Sequence, residues 1–266
     1  MFPDYYKKPI APGQQQEIHN SPWVWTSGQP SYENSRLLCL PYAGGGAGVF
    51  VPFAKPLAGA TELWAIRPPG RESRWKEPSA ASIREMVLEL ADEIAPHLHE
   101  KPYAILGYSL GSLLAFEFIR ELRRRRAALP RLFFAAGRGA PQMALKRSPL
   151  HTLPDREFLE ALAQRYQGIP KIVLEDPELL RLYLPPLRAD MRLNETYQYQ
   201  EGLPLEIPIV ALGGLDDPSV EVGDLAAWRV QTSASFLLEM MPGGHFFLQE
   251  QRAQFLAAIR RHLMAL

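Results

Sequence analysis

The chain has 266 residues, 47% of them hydrophobic, enough to bury one large core, and a single α/β domain with an insertion fits this size better than two small domains. Lysine plus arginine and aspartate plus glutamate number 29 each, so no global field draws the protein to nucleic acid or to an anionic membrane. The single cysteine, Cys39, lies in the apolar run RLLCLPY, which excludes an intramolecular disulfide and a cysteine-built metal centre and leads us to expect a reducing, cytosolic compartment.

In chain order, the first twenty residues lack the continuous apolar core of a signal peptide, and no later stretch approaches the length of a membrane span. Residues 1–35 are rich in Pro, Gln, Ser and Gly and read as a poorly ordered lead-in, with a short edge strand at WVWT. The ordered domain is expected over residues 36–266. Within it, RLLCLPY, ELWAIRPPG, YAILGYS, RLFFAAGRGAP, IPIVALGG and FLLEMMPGG are short apolar runs bounded by turn residues, the pattern of buried strands. Helical spacing falls between several of them: Ile83, Met86, Leu90 and Ile94 share one face, and SLLAFEFIRELRRRR ends in cations that suit a helix C-terminus. Such alternation predicts a mostly parallel sheet flanked by helices. The run Arg123 to Arg126 reads first as a solvated helix end, with a docking patch as the alternative. From about 142 to 203 the rhythm breaks into helical segments without a strand, an insertion placed to lie over a site at the carboxyl ends of the strands as a lid.

The chemistry centres on GYSLGS, residues 107–112. If Tyr103 to Leu106 form a strand and Ser112 onward a helix, Gly107 and Gly111 allow a sharp turn with Ser109 at its apex, the geometry of a nucleophile elbow. A serine hydroxyl is a weak nucleophile near neutral pH and needs a base and an acid that orients the base. Of six histidines, His19 lies in the lead-in, His97 and His99 end a helix, His151 opens the insertion and His262 belongs to the terminal helix. His245, in the loop PGGHFFL after a strand, remains as the base. The acid is Asp216 or Asp217 in GGLDDP, with Asp217 preferred; helix capping before Pro218 is the competing explanation. Acyl transfer also needs amide donors for an oxyanion, and these are expected from Leu110, just after the nucleophile, and Ala43 in LPYAGGGAG. That glycine run has neither a P-loop lysine nor dinucleotide-binding spacing.

Taken together, LPYAGGGAG, RPPGRESR, GYSLGS, DPELLRLYLPPLRADMRLNETY, GGLDDP and PGGHFFL resemble the stand-alone type II thioesterases of polyketide and nonribosomal peptide assembly lines, relatives of the medium-chain thioesterases of fatty acid synthesis. The resemblance covers nearly all of the chain after Arg36, and PGR with LRAD and ETY is its most specific part. It implies an α/β-hydrolase fold, a triad of Ser109, Asp217 and His245, an oxyanion hole at Ala43 and Leu110, and no bound cofactor or metal. The implied substrate is an acyl thioester on the phosphopantetheine arm of a carrier protein, and the implied role is clearing stalled or wrongly primed carriers. Tyr42 and Tyr108 stand where many members have histidine. The competing functions are a carboxylesterase acting on free small esters and a catalytically inactive carrier-binding module. We expect a monomer whose Leu179, Leu180, Leu182, Tyr183 and Leu184 line an acyl chamber. Arg181, Arg188 or the run from Arg123 would steer an acidic carrier protein.

Overall fold

Each of the six apolar runs forms a strand of one sheet, and WVWT supplies a seventh. The computed structural model describes residues 18–27, 35–143, 147–166 and 177–264. The strands are β1 (Val24–Thr26), β2 (Arg36–Leu40), β3 (Glu62–Ile66), β4 (Tyr103–Tyr108), β5 (Leu132–Ala136), β6 (Ile209–Gly214) and β7 (Phe236–Met241), in spatial order β1-β3-β2-β4-β5-β6-β7. Only β1 runs antiparallel to its neighbour; all other pairs are parallel.

Strands β2 to β6 are buried along their whole length, as a parallel sheet covered on both faces requires. Successive side chains feed opposite cores. Leu38, Ile105 and Phe133 pack on one face with helices α2 (Ile83–Ile94) and α3 (Leu110–Arg125), while Leu37, Leu106 and Phe134 pack on the other with the helix that ends the chain. The short α1 (Ala54–Leu57) leads into β3. In α2 the expected face of Ile83, Met86, Leu90 and Ile94 is buried, and Ser82 caps its start by accepting from the Glu85 amide at 3.1 Å.

Within the stretch read as a lead-in, Ile18, Trp23 and Val24 are core residues, and Arg74 stacks over the Trp23 ring at 3.8 Å. Residues 1–17 and 28–34 lie outside the described residues. The arginine run is a helix end with Arg124 and Arg126 exposed, as its first reading has it, and it finds partners inside the protein: Arg123 donates to the carbonyls of Leu203 and Pro204, Arg124 and Arg125 pair with Glu121, and Arg125 also reaches Asp92.

Between β5 and β6 lie α4 (Asp155–Tyr166) and α5 (Pro177–Thr196), with residues 144–146 and 167–176 of the insertion outside the described residues. Phe158, Leu162 and Met191 join Leu150 in a small core of their own, which meets the rest of the protein at Ala43. After β6 come α6 (Val222–Ala226), β7, α7 (Phe247–Glu250) and α8 (Arg252–Leu263).

The turn from β4 into α3 accepts no side chain at either flanking glycine. A Cβ on Gly107 would overlap the Gly111 carbonyl and the Ser112 Cα, and one on Gly111 would overlap the Leu40 carbonyl. Because these neighbours are backbone, relief requires the helix and two strands to move. Gly111→Ala is therefore expected to destabilise the fold by at least about 2 kcal/mol, read as a lower denaturation midpoint.

Candidate active site

Ser109 sits at that turn with φ of 52° and ψ of −117°, outside the regions L-residues ordinarily occupy. Such backbone strain costs on the order of 1–3 kcal/mol and persists only where surroundings fix it. Here they do: the Ser109 amide donates to the Ala136 carbonyl at 2.7 Å, and the Ser112 hydroxyl lies within reach of the Gly107 and Ala136 carbonyls at 2.8 and 2.9 Å.

The loop after β7 brings His245 over this apex, with Nε2 at 3.0 Å from the Ser109 Oγ. On its other side Nδ1 lies 2.7 Å from Oδ2 of Asp217, from the loop after β6. Both side chains are almost fully buried, at 3% and 1% exposure, so the pair is shielded from water. Burial raises the Asp217 carboxyl, but the hydrogen bonds and charge from His245, together with the bonds from Ser219, outweigh it and hold the group below the usual carboxylate range. Asp216, by contrast, is exposed and accepts from the Gly243 amide at 3.4 Å. The structure thus brings together Ser109, His245 and Asp217 and leaves Asp216 outside. His97, His151 and His262 are engaged with Glu100, Glu195 and Glu239.

Two further residues belong to this assembly: Ser219 was missed in the sequence, and Tyr108 was noted there only as a departure from the family pattern. Ser219 donates its hydroxyl and amide to Asp217 Oδ1 at 2.6 and 2.8 Å, and its oxygen lies 3.0 Å from His245 Nδ1. Tyr108 donates its hydroxyl to the His245 carbonyl at 2.6 Å and fixes the loop from below. Burial pushes its phenol well above the ordinary range, so it stays a neutral donor. Tyr42 stacks edge-on against Phe246 at 5.1 Å and accepts from the Gln249 amide at 2.9 Å. The two tyrosines therefore brace the histidine loop.

Ala43 and Leu110 both line a cavity with Ser109, and neither backbone N–H donates to an acceptor among the described residues. Leu110 opens α3, where first-turn amides have no intrahelical partner and favour negative charge. The loop carrying Ala43 is held from outside. Arg71 makes a two-pronged ion pair with Asp190 of α5 at 2.5 and 2.9 Å and donates to the Gly45 carbonyl at 2.9 Å. The same Asp190 accepts from the Gly44 amide at 2.7 Å. Glu72 accepts from the amides of Ala47 and Gly48 at 3.2 and 2.8 Å and pairs with Arg67 at 3.3 Å. Two carboxylates thus clamp the glycine loop, Glu72 from RPPGRESR and Asp190 from LRAD, stretches read in the sequence only as family motifs.

Ser109 opens on two cavities. One, of about 300 Å³, lies between the glycine loop and the insertion and is walled by Leu159, Leu162, Leu180, Leu184, Leu187 and Met191. Tyr183 also reaches it, whereas Leu182 is 60% exposed on the outer side of α5 and Leu179 is not part of the wall. The other, of about 120 Å³, lies toward the loops after β5 and β6 and mixes charged and apolar lining residues. Arg188 is spent inside the insertion, on the His151 and Leu153 carbonyls and Asp155, so it is not available to a partner; Arg181 is exposed and holds no ion pair among the described residues. Removing one half of a buried ion pair leaves the other charge uncompensated, at a cost of about 3–5 kcal/mol. Asp190→Ala is expected to lose that much stability in denaturant titration. It should lower kcat more than KM rises, because the loop beside Ser109 loses its anchor.

The family model for the Thioesterase domain matches residues 35–263. A protein named linear gramicidin dehydrogenase LgrE, from Brevibacillus parabrevis, is 39% identical over 94% of this chain and 96% of its own length; no G-x-G-x-x-G dinucleotide fingerprint occurs in this chain. Gramicidin S biosynthesis protein GrsT from Aneurinibacillus migulanus is 38% identical over 91% of this chain and 93% of its own. Among solved structures, the type II thioesterase BorB from the borrelidin cluster superposes with a TM-score of 0.79 at 33% identity, covering 91% of this chain and 96% of that one. RedJ, a thioesterase of the prodiginine pathway in Streptomyces coelicolor, gives 0.82 at 33% identity, covering 88% and 92%. With the family matched over most of its length and the sheet and elbow in place, the chain belongs to the thioesterase family of α/β-hydrolases.

Proposed function

We propose that the protein hydrolyses acyl thioesters carried on the phosphopantetheine arm of a carrier protein, through an acyl-Ser109 intermediate. The observation that carries this reading is the unbroken hydrogen-bonded line from Ser109 through His245 to Asp217, opening on an apolar cavity. His245 Nε2 takes the Ser109 proton as Oγ attacks the thioester carbonyl, and the developing oxyanion is met by the N–H groups of Ala43 and Leu110. Collapse breaks the C–S bond, and the imidazolium returns the proton to the thiolate. This is a light task, because a thiol with a pKa of about 8.5 is a good leaving group. Water then takes the place of the thiol, His245 removes its proton, and cleavage of the acyl-serine ester restores Ser109 and frees the acid. Asp217 holds the imidazole in the required tautomer and stays ionised throughout.

The carrier-borne substrate rests on the kinship with GrsT, BorB and RedJ, which belong to the biosynthesis of gramicidin S, borrelidin and prodiginine. It also suits the cavity, whose apolar walls fit an acyl chain. The chemistry uses only the protein's own side chains and the partner's pantetheine, so no cofactor of its own is required. No described helix is long and apolar enough to cross a membrane. The insertion acts in this reading as a lid, with Leu180, Leu184, Leu187 and Met191, spaced along one face of α5, turned to the acyl chain. The outer side of the same helix presents Arg181 and Leu182 to the carrier.

Two tests follow from this reading. Ser109→Ala is expected to lower kcat/KM on acyl-carrier protein by at least about a thousandfold with an unchanged denaturation midpoint, and Asp217→Asn to slow turnover far more than Asp216→Asn. Retained hydrolysis in Ser109→Ala would remove the serine from the reaction. Separately, carrier-bound substrate is expected to lose rate with added salt, and in Arg181→Glu, more than the free acyl-pantetheine thioester does. A p-nitrophenyl ester turned over faster than either would favour the carboxylesterase reading.

A further inference from the structure

The cavity toward the loops after β5 and β6 contains a charge that nothing in the fold neutralises. Arg138, two residues past β5, lines it together with Ser109 and Tyr166. Its Nη1 donates to the amide oxygen of Asn194 on α5, and its Nε is the one buried side-chain polar atom among the described residues that has no hydrogen-bond partner. Arg138 is in no ion pair among the described residues, and the ionisable groups close enough to act on it are the phenols of Tyr166 and Tyr197. Burial lowers its guanidinium to about 10, still charged at neutral pH.

The other charges around the cavity have occupations of their own. Glu195 accepts from the Leu150 and His151 amides and from the His151 ring and faces Arg165 at 3.8 Å. Arg147 donates to the Pro218 carbonyl, and Glu221 and Asp224, at the start of α6, also line the cavity and have contacts of their own, Asp224 packing against Gly139 and accepting from the Ala140 amide at its carbonyl, 2.9 Å away. Arg138 is half-buried with its Nε shut off from solvent, so its charge stands without an anion at some cost, and a perturbed group of this kind in a cleft marks a candidate ligand site. The guanidinium is donor-only, so the ligand must present acceptor oxygens, and a carboxylate matches both its charge and its fork.

We infer that this cavity is an acyl-specificity subsite in which Arg138 and Asn194 receive the free carboxylate of a short carboxyacyl group whose thioester carbonyl lies at Ser109. The inference rests on the proposed role of Ser109. At about 120 Å³ the cavity admits a few heavy atoms, not a long chain, while the apolar cavity of about 300 Å³ on the other side of Ser109 serves uncharged chains. An acyl group bearing an ammonium would meet Arg138 as a like charge and be disfavoured.

The test compares succinyl- and butyryl-pantetheine thioesters, which share a four-carbon chain and differ at its far end. The wild-type protein is expected to give the higher kcat/KM with the succinyl thioester. Arg138→Gln should lower that value about 10- to 100-fold while leaving the butyryl value within about threefold. Arg138→Lys, which keeps the charge but loses the fork, should fall between. A succinyl-to-butyryl ratio that is the same in wild type and Arg138→Gln would overturn the inference. The corresponding amide analogues, titrated calorimetrically into the wild-type protein, test the same point without turnover or a variant fold: tighter binding of the succinyl amide supports the subsite, and equal or weaker binding overturns it. Absence of hydrolysis of both thioesters would instead count against the reading of Ser109, leaving the amide titration to decide the subsite.

Discussion

The Arg71–Asp190 ion pair is the constraint on which the site depends, because it ties three separate pieces of chain to one point. Arg71 follows β3, Asp190 belongs to α5 of the insertion, and both reach the glycine loop after β2 at Gly45 and Gly44. A buried ion pair adds little net stability over a well-packed apolar contact, since desolvating both charges consumes most of their attraction. Its value here is positional. The planar fork of arginine fixes the carboxylate in two contacts at once, and the carboxylate in turn fixes a backbone amide next to Ala43. Lysine could supply the charge but not the orientation. The insertion is therefore part of the active-site frame as well as its cover.

The same economy operates at the elbow and behind the histidine. Ser109 is held in a strained conformation by the bond its amide donates to the Ala136 carbonyl and by the close approach of β2, β4 and α3 at Gly107 and Gly111. His245 is reached from two sides: Asp217 with Ser219 sets its ring, and Tyr108 sets its backbone. In the proposed mechanism every group that stabilises developing charge is positioned before substrate arrives, which is how a low-dielectric site avoids reorganisation during reaction.

The fold was legible because its strands are buried on both faces and hence read as continuous apolar runs, and because α2 carries its apolar residues at helical spacing. The elbow was legible because glycine on both sides of serine between a strand and a helix has few other uses. Residues 18–27 read as lead-in because Pro, Gln and Ser dominate around them, although Trp23 and Val24 find core partners that composition cannot show. The fates of Arg123, Arg125 and Arg188 were not readable either, since their acceptors are carbonyls and acids brought near only by the fold. Likewise, the pairing of Arg71 with Asp190 spans 119 positions and leaves no local pattern in one sequence. Ser219, two residues after the acid, looks in sequence like any turn serine.

The central claim is that acyl groups pass through a covalent bond to Ser109. Its most direct test is intact-protein mass spectrometry, with peptide mapping, of the protein rapidly quenched in acid after mixing with an excess of acyl-pantetheine thioester. The expected result is a mass increment equal to the acyl group, located on Ser109 and absent from Ser109→Ala. Turnover with the increment on another residue, or hydrolysis that persists in Ser109→Ala, would contradict the account.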